Sequence, residues 1–163
     1  MDRRHYNRFM MKRFLTIIAT AASLLCSCEK APTVIDESSP EFSGRMTVVY
    51  EGDDFNQDGI KVLVGIDPTQ TTVDIKLQKV KFVPAMPVNI DVTIMKVPLT
   101  QEEDGNWTFS ADGITPWALG GPYDTYRVDR LQGTLTDKTL DFSLNFYNTK
   151  KKTGYPTSYS GRR

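Results

Sequence analysis

From Glu41 onward the chain alternates between apolar and polar positions. Leu140, Phe142, Leu144 and Phe146 are separated by Asp141, Ser143 and Asn145, and Val88, Ile90, Val92 and Ile94 by Asn89, Asp91 and Thr93. Met46, Val48 and Tyr50 share one phase in the same way, as do Trp107, Phe109 and Ala111. A period of two places successive side chains on opposite faces of a strand, one buried and one wet. No window after Glu41 sustains apolar residues at i, i+3, i+4 and i+7, so no long helix is predicted there. The pattern predicts strands at about 43–50, 60–66, 71–82, 88–97, 106–111, 126–135 and 139–147. An eighth falls either at Ile114 to Leu119 or near Tyr155 to Ser160.

In the third strand the phase changes. Val73, Ile75 and Leu77 share one face and Val80 and Phe82 the other, with the switch at Gln78-Lys79. A single inserted residue reverses every following side chain, so a β-bulge is predicted there. Asp67-Pro68, Asp104-Gly105 and Thr136-Asp137-Lys138 mark tight reversals. Short reversals join antiparallel neighbours, and an antiparallel meander with one apolar face must close on itself or split into two sheets. The predicted fold is all-β, a small up-and-down barrel of about eight strands, with a β-sandwich as the alternative. A sandwich with an inter-sheet disulfide lacks the cysteines for one after Cys28.

The first part of the chain has a different character. Arg3, Arg4, Arg8, Lys12 and Arg13 precede a short apolar run, Phe14 to Leu25. Twelve residues are too few to span a bilayer but suit the apolar region of a signal peptide. Met10 or Met11 would suffice as its start. The run ends in "LCSC", Leu25 to Cys28, which resembles a bacterial lipobox. The resemblance implies cleavage after Ser27 and diacylglycerol on the sulfur of Cys28. On this reading 1–27 is a lipoprotein signal peptide, 28–41 a flexible tether from the lipidated cysteine, and 42–163 the barrel domain with a polar C-terminal tail. The tether, rich in proline and serine, would reach roughly 40 Å at ~3.3 Å per residue.

Beyond Cys28 there are 19 acidic and 15 basic side chains, so composition gives no basic surplus of the kind nucleic-acid binding calls for. "FSGRMTVVYEG", "PVNIDVTI", "ADGITPWALGGPY" and "LQGTLTDKTLDFSLNF" together resemble the calycin-like lipoproteins of Gram-negative bacteria, over about Phe42 to Tyr147. The resemblance implies a signal peptide, a lipobox and a small lipocalin-like β-barrel facing the periplasm or the cell surface from the outer membrane. Lipocalins carry a G-x-W motif at their first strand; here Gly105-Asn106-Trp107 stands at the fifth.

Little catalytic chemistry is available. His5, the only histidine, lies in the leader, and Cys28 is the one cysteine left after cleavage. Nucleophile–histidine catalysis and zinc sites built on His or Cys are therefore excluded from the cleaved chain. Nothing selects a carboxylate pair, so the chain reads as a non-enzyme with no cofactor and no metal. "DFNQDG", Asp54 to Gly59, has the opening spacing of a calcium loop, but position 12 is Gly65 where a bidentate Glu is required. Flanked by alternating segments, it reads as a hairpin turn, with weak calcium binding as the alternative.

"ITPWALGGPYDTY", Ile114 to Tyr126, gathers Trp117, Tyr123 and Tyr126. Such a loop closes one mouth of a barrel, either as a plug over the core or as a contact surface for a ligand. Pro84, Met86 and Pro87 form a second apolar loop able to share that mouth. The closing "TKKKTGYPTSYSGRR" reads as a solvated basic tail, with attraction to anionic lipid as the rival. The expected function is a lipid-anchored cell-envelope protein that holds a small apolar ligand in its barrel. The alternative is a non-enzymatic structural or accessory module that binds another envelope protein through its loops. In both cases the N-terminal lipid is its contact with the membrane.

Overall fold

A computed structural model describes residues 32–163. No helix occurs among the described residues, which form ten strands: β1 (Glu41–Tyr50), β2 (Asp53–Ile66), β3 (Thr72–Val80), β4 (Ile90–Gln101), β5 (Trp107–Ala111), β6 (Trp117–Ala118), β7 (Gly121–Pro122), β8 (Tyr126–Leu135), β9 (Thr139–Asn148) and β10 (Thr153–Arg162). All pairings are antiparallel, in the order β3-β2-β1-β10-β9-β8-β5-β4, and β4 pairs back onto β3. The eight long strands form a closed barrel, and β6–β7 is a small hairpin set against β4 through Val92↔Ala118 and Thr93↔Trp117. Closure through β3–β4 pairs what would otherwise be the two open edges of the eight-stranded sheet.

The eighth strand is β10, not Ile114 to Leu119. What the charge pattern suggests is a solvated tail is in fact the strand that closes the barrel on β1, from Ser43↔Arg162 to Val48↔Thr157. Tyr155, Thr157, Tyr159 and Gly161 face inward, and Pro156, Ser158 and Ser160 face out. Lys150, Lys151 and Lys152 occupy only the preceding turn.

The bulge at Gln78-Lys79 is present. Leu77 pairs with Val92 but Val80 with Ile90, and Lys79 is the inserted residue at φ 54°. Two further bulges of the same kind sit at Lys96 (φ 57°) and Arg130 (φ 51°). Each bends its strand and strengthens the local twist, which a small barrel needs in order to close.

Two expectations are corrected. Asp54 to Gly59 is not a hairpin turn: the reversal lies earlier, at Glu51-Gly52, where both residues have positive φ as a two-residue hairpin turn requires. The stretch from Asp53 is already strand β2, kinked where Gly44↔Ile60 gives way to Met46↔Gln57. Val88, expected inside, is 59% exposed because β4 begins only at Ile90.

The interior is filled by the chain's own side chains. Phe42, Met46, Ile75, Leu77, Phe82, Ile94, Leu131, Leu140 and Phe146 are all buried within it. Gly133 makes this packing possible. A Cβ there would collide with Phe109 Cζ and come within 2.6 Å of Asp141 O and Phe142 Cβ. At the end where β1 starts, the Tyr159 hydroxyl donates to Phe42 O at 3.0 Å and Ile60 O at 3.2 Å, tying three strands together.

Candidate functional site

The opposite end, where β1, β3 and β9 finish, is built from aromatic rings. Four strands bring one ring each to this level, Tyr50 from β1, Tyr126 from β8, Phe146 from β9 and Tyr155 from β10, with Phe82 just beyond β3. Phe82 is the hub. Its ring centroid lies 4.1 Å from that of Phe146 and 4.5 Å from that of Tyr126. Tyr126 continues to Tyr123 at 5.6 Å and Tyr155 at 6.4 Å, and Tyr155 stacks on Tyr50 at 6.2 Å. Tilted and offset arrangements at these separations are the favourable ones for aromatic quadrupoles. Burial pushes the Tyr126 and Tyr123 phenols above the usual tyrosine value, so both are neutral at physiological pH.

The loops around this rim are fastened to it. The Phe82 N–H donates to Met86 Sδ at 3.1 Å, which folds the 81–89 loop over its own base. Gln57 holds the start of that loop through both ends of its amide: Nε2 donates to Lys81 O and Oε1 accepts from Lys81 N–H, each at 2.9 Å. The Tyr123 N–H donates to Pro116 O at 2.8 Å, and the Thr149 hydroxyl to Asp124 O at 2.8 Å.

Of the four residues that the sequence marks for the mouth, three converge here. Tyr126 is buried in the ring cluster, and Tyr123 and Met86 pack against the core from above. Trp117 stands apart. It is half-buried in the β6–β7 hairpin opposite Thr93 and Pro122, and it is not among the side chains packed on the core. Tyr155 and Tyr50 belong to the cluster as well. The alternation of Tyr155, Thr157 and Tyr159 marks a candidate strand in the sequence, but nothing local places Tyr155 at the mouth. The lipid-attachment candidate Cys28 lies outside the described residues.

The rim is closed below but apolar above. Leu119, at the tip of the β6–β7 hairpin, is 74% exposed, and Val88 on the neighbouring loop is similarly bare. Pro84, Ala85 and Pro87 are exposed beside it. Of Asp54, Asn56 and Asp58, which lie along one face of β2, two are engaged by side chains of β1. Asn56 Oδ1 accepts the Thr47 hydroxyl at 2.7 Å, and Asp58 pairs with Arg45 at 2.6 Å.

A second concavity lies on the outside of the barrel, across the row Phe109↔Gly133↔Phe142↔Tyr159. Its floor is backbone, its walls include Thr108, Ser110, Gln132, Thr134, Asp141 and Ser143, and its volume is about 590 Å³. It is open to solvent.

No family model matches this chain, and no curated protein does. Among solved structures it is similar to a putative outer membrane protein of Bacteroides fragilis NCTC 9343, with a TM-score of 0.56 and 14% sequence identity. The match covers 77% of this chain and 51% of that one, so the chain spans about half the length of that structure. The likeness is one of fold, and it fits the calycin-like barrel.

Proposed function

We propose that this chain is a lipid-anchored protein of the bacterial envelope, a non-enzymatic module that recognises another envelope protein through the loops of its aromatic rim. The observation that carries this reading is the contact of Phe82 with Phe146 and Tyr126. Those rings occupy the mouth through which an apolar ligand would enter. An eight-stranded barrel has room either for its own side chains or for one small ligand, and here the side chains take the space. The exposed tips, Leu119 and Val88, put apolar contact area where a partner can reach it. The lipobox-like "LCSC" supports lipidation at Cys28 and a membrane contact through that lipid. The likeness to a putative outer membrane protein supports an envelope location.

Native mass spectrometry of the chain, after incubation with a total lipid extract of a Gram-negative envelope, separates this reading from a barrel that holds a small apolar ligand. The expected result is the bare protein mass. A reproducible added mass that leaves on organic extraction would move the function into the barrel interior.

A further inference from the structure

A carboxylate on the outward face of a strand is normally solvated, yet Asp74 on β3 is only 3% exposed. Its cover is the chain's own N-terminal segment. The Thr33 hydroxyl donates to Asp74 Oδ2 at 2.8 Å and the Val34 N–H to the same oxygen at 2.9 Å. Val34 and Ile35 then cross Gly65, the register partner of Asp74 on β2, where a Cβ would lie 3.0 Å from Val34 Cγ2 and Ile35 Cγ1. Pro40 O accepts the Val64 N–H at 3.0 Å just before β1 begins. Thr33 to Pro40, part of the stretch that composition reads as a tether, is thus a strap fastened across β2 and β3.

The strap shortens any link to a lipid. Cys28 is five residues before Thr33, a reach of roughly 17 Å at ~3.4 Å per residue, against about 40 Å for a segment free as far as Glu41. We infer that, in the lipidated chain, the outer flank of β2, β3 and β4 around Asp74 lies against the bilayer that holds the acyl chains of Cys28. This rests on the lipid-anchor reading above.

The flank carries lysines long enough to reach lipid headgroups, set among the acids Asp36, Glu37, Glu41 and Asp91. Lys61, Lys76 and Lys96 stand on its three strands, two of them ion-paired, Lys61 with Glu41 and Lys76 with Asp91. Long lysine stems reach headgroups while their ammonium ions stay hydrated. Val34 adds an exposed apolar side chain on the strap itself. Gly65 and Asp74 lie within two residues of the strand ends opposite the aromatic rim. The rim, with Leu119 and the Lys150–Lys152 turn, therefore stands off at the far end, roughly 25 Å away at ~3.3 Å per strand residue.

The test uses the full-length lipidated chain floated on vesicles of phosphatidylethanolamine and phosphatidylglycerol. Lys96→Cys and Lys151→Cys each carry one nitroxide, and collision with a water-soluble nickel chelate is measured. The label at 96 should be several-fold less accessible than the label at 151. Inserting twelve Gly/Ser residues between Ala31 and Pro32 leaves the barrel and strap intact and should raise accessibility at 96 to that at 151. Equal accessibility in the floated wild-type chain, or protection at 151 instead, overturns the inference. A chain that does not float and carries no acyl mass overturns the lipid anchor itself, and the inference with it.

Discussion

The backbone N–H of Lys96 donates to Asp74 Oδ1 at 2.7 Å, across the β4–β3 ladder at the point where Lys96 is one residue too many. The bulge turns Lys96 into the left-handed region, so its N–H leaves the ladder, and the aspartate takes the place of the missing carbonyl. The same solution appears twice more. Lys79 N–H donates to Asp91 Oδ1 at 3.0 Å, and Arg130 N–H to Asp112 Oδ1 at 2.7 Å. Three bulges, each with a basic residue at positive φ and an aspartate on the neighbouring strand or just past its end, bend the barrel. Asp74 alone also holds the strap.

Asp74 therefore has two duties. Asp74→Ala should cost about 2–3 kcal/mol, because it removes hydrogen bonds to a charged acceptor and leaves buried N–H groups without a partner. Thr33→Val removes only the strap hydroxyl bond and should cost about 1 kcal/mol. Urea denaturation of both variants beside the wild type checks the ratio. Equal losses would mean that the strap, not the bulge, is the main debtor.

The backbone conformation at the bulges gives a substitution test of opposite sign. Arg130→Gly should be neutral or slightly stabilising, while Arg130→Val should lose roughly 1–2 kcal/mol, the cost of a left-handed conformation for an L-residue with a branched side chain. Thermal melts of the pair read this directly.

Inside the barrel, Phe146→Ala should cost about 3–5 kcal/mol, since it removes the ring that Phe82 packs on. Gly133→Ala should cost roughly 1–3 kcal/mol for the opposite reason, overpacking against Phe109 and Phe142. Denaturant midpoints measure both. A Gly133→Ala chain as stable as wild type would mean that β8 and β9 shift apart freely at that row.

Acid should weaken the turn at Asp67. Its carboxylate accepts the Thr69 hydroxyl and the N–H groups of Thr72 at 2.8 Å, Thr71 at 2.9 Å and Thr69 at 3.2 Å. These bonds, led by the Thr69 hydroxyl, hold its pKa down to about 2. A carboxyl whose folded pKa is depressed adds stability that is complete above its unfolded value near 4 and is lost as pH falls toward 2. The difference in urea midpoint between wild type and Asp67→Asn should therefore be constant above about pH 5 and shrink between pH 4 and 2.

A chain ending at Asn148 should not fold. It would leave β9 and β1 as open edges in place of the β10 pairings with both. Aggregation on refolding, with loss of the strand signal in circular dichroism of the soluble fraction, is the expected outcome.

The period of two in Leu140 to Phe146 or Ile90 to Ile94 already determined that these segments are strands, and which face of each is buried. Alternation is a local property, set by the geometry of one strand. The phase switch between Leu77 and Val80 likewise located a bulge, because an inserted residue must reverse the pattern. Other features depended on partners far away in sequence. Tyr155 to Ser160 was one of two segments that could supply the eighth strand, and only the pairings with β1 and β9 decided for it over Ile114 to Leu119. Glu51-Gly52 became the turn, in place of Asp54 to Gly59, only once Phe55 and Gln57 had strand partners on β1. Trp117, Tyr123, Tyr126 and Met86 were all legible as an aromatic mouth, but the tertiary structure decided which of them fill it. Tyr126 meets Phe82 and Phe146 because three strand ends arrive at one level, while Trp117 is carried away on its own hairpin. The strap was the least legible of all, since its residues show no period and its site is a single buried carboxylate. A ladder can be read from one strand, but the closure of a barrel and the docking of a segment on its wall depend on all the strands at once.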